Sequence, residues 1–329
     1  MSLMTVPGRL ARVSAVALVG LLTQVPTGAG AASPEASASP GASASPAASA
    51  SAALPVVRLV HAGEEPRSPL RYRYVPGTSA TMTMDMDTTI AMGDGGSGMP
   101  SYAAPTMRVV VETTTGERTP AGTTRLEYRY LDAGVVQPGD GFADAFLDGW
   151  LDQYVGITMW SLVDDRGQAH GGGIEGVEQL DPLLASAFED IETGLREASA
   201  PFPLEPVGVG AQWAVEQSFA SQGLDVTQRI SYTLLDRGSD WVELGLESTL
   251  SAEPGPAELI EYPGTDAWVS ELSGTGSGTM RMSLDGLTTT MSMESTGRQV
   301  ADVDGSRSTT ETSVTVRVRP GRLPVGPEV

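Results

Sequence analysis

The sequence predicts a mainly β protein: a large curved antiparallel sheet or open barrel with one or two packed helices. Two observations carry this. Apolar and polar residues alternate with a period of two, most plainly from Thr81 to Met92, where Met82, Met84, Met86, Ile90 and Met92 share one side and Thr83, Asp85, Asp87 and Thr89 the other. Turn residues punctuate such runs throughout, and Asp285-Gly286 between two alternating segments is a strong hairpin signal. Helical spacing shows in two places, around Phe142 to Trp150 and after Asp181.

The chain opens with Arg9 and Arg12, an apolar run from Val13 to Leu22, and small residues at Ala29-Gly30-Ala31. This order predicts a secretory signal peptide over 1–31, with a run too short for a spanning helix. Residues 32–53 are almost wholly Ala, Ser and Pro and lack the apolar side chains that would offset ordering entropy, so they read as a disordered linker. A β-rich domain is expected over 54–320, as one unit or as two lobes at 54–200 and 201–320, with a tail at 321–329. No later stretch is long enough for a membrane span, and the absence of cysteine excludes a lipidation site or disulfide. The protein is expected to be secreted or extracytoplasmic.

Within the domain, Leu70 to Val75, Thr81 to Met92, Met107 to Thr114, Arg125 to Tyr130 and Tyr154 to Val163 predict a meander of strands, the last closed by a turn at Asp164 to Gly167. Asp181 and Pro182 then start a helix whose buried stripe is Leu184, Phe188, Ile191 and Leu195. Pro201, Pro203 and Pro206 end it, because each removes a donor and pushes the preceding residue into an extended conformation. Strands resume at 211–220, 225–235, 240–250, 279–284, 287–294 and 309–319. Trp213 is expected to be buried where the two halves meet, with Phe188 and Pro206 as its structural companions.

Pro203-Leu204-Glu205-Pro206-Val207-Gly208-Val209-Gly210-Ala211-Gln212-Trp213 resembles a passage of a family of secreted or envelope-exposed bacterial proteins of unknown function. Tyr72-Arg73-Tyr74 and Gly274 to Leu287 fit the same likeness, which extends over about 70–320. The resemblance implies β-rich halves flanking a short helical segment, and it supplies no catalytic residues.

Composition excludes several chemistries. The formal charge is −21, and loss of the arginine-bearing leader takes it to −23, which argues against nucleic acid as a partner. All 20 basic residues are arginine, so a lysine Schiff base and a phosphate-loop lysine are absent. Two histidines without cysteine leave a zinc site unfilled, and His170 lies in a glycine-rich turn with no expected carboxylate beside it. The stretch after Asp302 misses calcium-loop spacing and reads as a β-turn. Asp85 with Asp87, or Asp164 with Asp165, would be the acids of a carboxylate hydrolase, but alternation puts the first pair on a wet strand face.

The methionines carry the functional expectation. With a two-residue turn at Asp285-Gly286, Met280 pairs with Met291 and Met282 with Thr289, placing Met280, Met282, Met291 and Met293 on one face. Met82, Met84 and Met86 make a similar face in the first half. Thioether side chains suit an irregular core or an adaptable binding wall. The sequence therefore predicts a non-enzymatic exported protein that holds an apolar small molecule, lipid or partner segment on these residues, with no cofactor. A carboxylate hydrolase, a copper(I)-binding protein on the soft sulfurs and a structural or adhesive module with a filled core stand as alternatives.

Overall fold

The computed structural model describes residues 55–93, 99–138, 151–176, 201–221, 223–257, 267–303 and 305–321. The strands are β1 (Val56–His61), β2 (Ser79–Gly93), β3 (Ser101–Ala103), β4 (Thr106–Arg118), β5 (Thr124–Gln137), β6 (Thr158–Val163), β7 (Ala169–Glu175), β8 (Gln212–Ser221), β9 (Leu224–Arg237), β10 (Trp241–Ala252), β11 (Gly255–Ala257), β12 (Ala267–Ser283), β13 (Thr289–Val303) and β14 (Ser306–Pro320). All belong to one antiparallel sheet, ordered β1-β8-β9-β10-β12-β13-β14-β2-β4-β5-β6-β7, with β3 against β2 and β11 against β12. The path does not close into a barrel. The first strand in the chain pairs with the second half, and the last strand pairs with β2, so both halves share one hydrogen-bonded surface.

Alternation decides which face is which. On β14, Val314, Val316 and Val318 are buried on the inner face, while outward Arg317 and Arg319 reach across to Asp87 and Asp85 of β2. Asp85 also accepts two bonds from Arg108 of β4, at 2.6 and 3.1 Å. These charge-assisted cross-strand pairs hold β14, β2 and β4 in register from the outer face, where Asp85 is itself buried under its arginines rather than on the wet surface expected for it. One slipped residue would turn both the arginines and the valines to the wrong face. A bulge at Val110/Val111 lets β4 and β5 keep Val109 opposite Ala133 and Val111 opposite Tyr130, all inward.

The expected pairings Met280 with Met291 and Met282 with Thr289 are present. The connection between β12 and β13 runs over residues 284–288, longer than the two-residue turn expected: Ser283 N–H donates to Thr288 O, and Leu287 N–H to the Asp285 side chain. Leu284 and Leu287 do not pair in the ladder but turn into the core, at 5% exposure each. The alternating segment Leu70 to Val75 likewise is not a ladder strand. It crosses one end of the sheet, where Tyr72 N–H donates to Asp165 O and Arg73 N–H to Leu284 O.

A second crossing segment, 201–211, meets the first. Ser68 and Val207 exchange both backbone bonds, Glu64 N–H donates to Val209 O, and Gly208 N–H to Ala62 O. The passage from Val207 to Trp213 thus ties the residues after β1 to the entry of β8. A Cβ at Gly208 would lie 1.8 Å from Glu64 O, so the close approach of the two backbones requires glycine there. Together the crossing segments plug one end of the sheet, and Gln168 near one sheet edge donates to Pro55 O near the other.

Helix is confined, among the described residues, to Leu151 and a 3-10 turn at Asp152–Tyr154. The expected helices at 142–150 and after Asp181, and with them Phe188, lie outside the described residues. No helix among the described residues is long and apolar enough to cross a membrane.

Candidate functional site

The inner face of the sheet is the candidate site, and it is built in two zones. Beneath the plug, Met82, Met280, Met282, Met291 and Met293 join one core cluster with Trp213, Phe202, Tyr232, Leu234, Val242 and Leu244. Trp213 is 1% exposed, stacked on Tyr232 at 5.5 Å and edge-on to Phe202 at 6.4 Å. Phe202 stacks on Tyr72 at 4.6 Å, and Tyr72 on Tyr74 at 5.3 Å. The Tyr72 hydroxyl donates to Met282 Sδ at 3.2 Å. Burial pushes the Tyr72 and Tyr74 phenols far up, so both stay neutral donors. These five methionines therefore pack as core in one cluster with the aromatic rings, Met282 in direct contact with Tyr72. Trp213 is buried as expected, while Pro206 is exposed at the start of the tie.

The second zone is the inner wall of β2, β4 and β5. Met84 and Met86 pack against the plugged core yet are only partly buried, and Met84 continues into a cluster holding Val109, Ala133, Tyr154 and Ile157. Met107, Val111, Tyr130, Val135 and Ile174 around them are also partly buried. The register explains the continuity, since Met84 opposes Val109 and Met86 opposes Met107. Burial raises the Tyr130 phenol to about 12.

Farther along β2 the inward set turns polar. Thr88 opposes Val314 and sits diagonally from Thr312, which opposes Ile90. Across the sheet the band continues through Ser295, Ser248, Gln228 and Gln217, with Gln217 donating to Gln228 at 2.7 Å. The apolar cluster beyond it holds Phe219, Leu224, Val226, Leu250 and Val269. Sequence reasoning named the methionines and passed over Thr88, although Thr88 is the one polar residue in the inward series from Met82 to Met92. Counting the period of two without interruption finds it.

The acids considered for hydrolysis do not converge. Asp85 and Asp87 hold arginines on the outer face, and Thr106 donates to Asp87 at 2.6 Å. Hydrogen bonding from Arg108 holds the Asp85 carboxyl below its ordinary range, against a burial effect of opposite sign, with Arg319 adding to the lowering. Asp164 shapes its turn, accepting from Arg166 N–H and Gln168 N–H at 2.9 Å each. His170 corrects the sequence expectation: it lies on β7, and Asp164 Oδ2 is 3.2 Å from its Nε2. Among the described residues no group of three or more His, Cys, Asp and Glu side chains is arranged to hold a metal ion.

No family model matches the chain, and no curated protein matches it. Among solved structures, a substituted variant of the Rh. blastica porin aligns over 73% of this chain and 100% of its own, at 10% identity and a TM-score of 0.23. Pseudomonas aeruginosa OccK11 aligns over 76% of this chain and 100% of its own, at 9% identity and a TM-score of 0.19. At such scores neither likeness bears on what the protein does.

Proposed function

We propose that this is a non-enzymatic exported protein that holds an apolar ligand, a small molecule or lipid, against the inner wall at Met84, Met86 and Met107. The supporting observation is the contrast within one face: five of the predicted methionines are packed under the plug, whereas Met84, Met86 and Met107 remain partly buried among other partly buried apolar side chains. Flexible thioethers at such a boundary can conform to an apolar guest without a fixed shape of their own. The leader-like start of the chain supports the exported location.

Titration with N-phenyl-1-naphthylamine tests the proposal. Wild-type protein should enhance the probe's fluorescence saturably. Met84→Glu with Met107→Glu should abolish the enhancement while leaving the far-ultraviolet β signature intact. A wild-type protein that leaves the probe dark, or a double variant that binds it as well as wild type, would return these methionines to the filled-core alternative.

A further inference from the structure

We infer that the ligand is an uncharged amphiphile whose neutral oxygen-bearing group, such as an ester or an alcohol, sits on Thr88 and Thr312 while its apolar part runs along Met86, Met84 and Met107; this rests on the apolar-ligand function proposed above. Two independent observations lead there.

The first is the charge of the inner wall. Along Val226 to Leu234, Val242 to Leu250, Leu272 to Met282, Met291 to Gln299, Thr310 to Val318, Met82 to Met92, Met107 to Thr115 and Leu126 to Val135, the inward residues include no acid and no arginine. Every charged residue in these spans falls on the outward set, including Asp85, Asp87, Arg108, Arg281, Arg298 and Arg317. In a protein with 41 acidic and 20 basic residues, these described spans have thus kept one face free of both. A carboxylate or phosphate brought onto that face would lose its water and gain no counter-charge, which is strongly unfavourable.

The second observation is that polarity on this face is present, and part of it is unsatisfied. Thr88 and Thr312 are 4% and 3% exposed, and neither hydroxyl has a hydrogen-bond partner among the described residues. They sit on adjacent strands in diagonal positions, a relation that separates residues by about 7–8 Å. Buried hydroxyls are usually satisfied, so an unpaired pair on one wall has donor and acceptor capacity left to offer. Met86 is the next inward residue along β2 from Thr88, and Met107 lies opposite Met86. An apolar chain on the methionines therefore brings a terminal neutral group to the two threonines. An unbranched hydrocarbon would leave both hydroxyls unpaired, and an anionic lipid would carry its charge onto an uncharged wall.

Competition against bound N-phenyl-1-naphthylamine by monooleoylglycerol and by oleate, at a pH where the acid is ionised, tests this. The neutral monoester should displace the probe at a concentration at least about tenfold lower than oleate. Replacing both threonines by valine, which keeps their shape, should remove most of that advantage, each lipid's displacement being read against the variant's own affinity for the probe. Equal displacement by the two lipids, or a Thr88→Val/Thr312→Val protein that still prefers the monoester, would overturn the assignment and leave the apolar-ligand function standing. Failure of the wild-type protein to bind the probe or either lipid would overturn both. Thermal unfolding of the double variant supplies a check on the alternative role for the hydroxyls. Unchanged or raised stability is expected, whereas a marked loss would show that they serve the fold and would count against the assignment.

Discussion

Two Met-x-Met strands in this protein share one sequence pattern and one face of one sheet, yet meet different surroundings. Met280 and Met282 on β12 are 1% and 4% exposed, in one core cluster with Phe202 and Trp213 and with Tyr72 packed against it. Met84 and Met86 on β2 are only partly buried at the margin of the same cluster. Alternation determines the face of a strand residue and nothing about what covers it. The difference comes from chain far away in sequence: segments 62–76 and 201–211 cross the β12 end of the inner face and fill it. Met280 and Met282 are thus sealed within the core, whereas Met84 and Met86 are only partly covered.

Substitutions that respect or violate this division should separate accordingly. Trp213→Ala should have the largest effect, removing a buried ring that stacks on Tyr232 and braces Phe202; such truncations cost about 3–5 kcal/mol. Chemical denaturation should show a large fall in the midpoint with an unchanged slope, and a variant as stable as wild type would mean that the plug does not hold the core. Met280→Ala should come next, at about 2–5 kcal/mol, because the cavity it leaves is enclosed. Met86→Ala, at the partly open wall, should cost clearly less than Met280→Ala. Equal losses would erase the distinction between the two zones.

The smallest expected effect lies on the outer face. Because Arg108 and Arg319 hold the Asp85 carboxyl below its ordinary value of about 4, the stabilisation is present above that value and is lost as pH falls through the lower folded-state value. Both arginines are partly solvated, so the contribution should not exceed about 1 kcal/mol. Asp85→Asn should lower stability slightly near neutral pH and converge with wild type in acid. Unfolding curves that stay parallel at every pH would show that the ion pairs contribute nothing measurable.

Much of the architecture was legible in the residues. The strand class, the hairpin register that sets Met280 against Met291, and the inward direction of Trp213 follow from local rules, because side-chain direction along a strand is a backbone property. The Tyr72 segment was misread as a ladder strand for a related reason. An extended chain alternates its side chains whether or not a neighbour pairs with it, and only long-range bonds to Asp165 and Leu284 reveal a crossing segment. The carboxylate beside His170 was also hidden, since a tight turn at Asp164 to Gly167 brings back two residues that periodicity assigns to separate elements.

The sequence by itself determined the alternation that gives the ladder strands their two faces, with methionine at repeated inward positions and Asp85 and Asp87 opposite them on β2. Tertiary structure alone decided which inward residues are sealed and which lie at an open margin, and that Thr88 and Thr312 stand together without partners. The physical reason is range: alternation is enforced between adjacent peptides, whereas burial depends on segments such as Leu70 to Val75 and Phe202 to Ala211 returning to the sheet from more than a hundred residues apart.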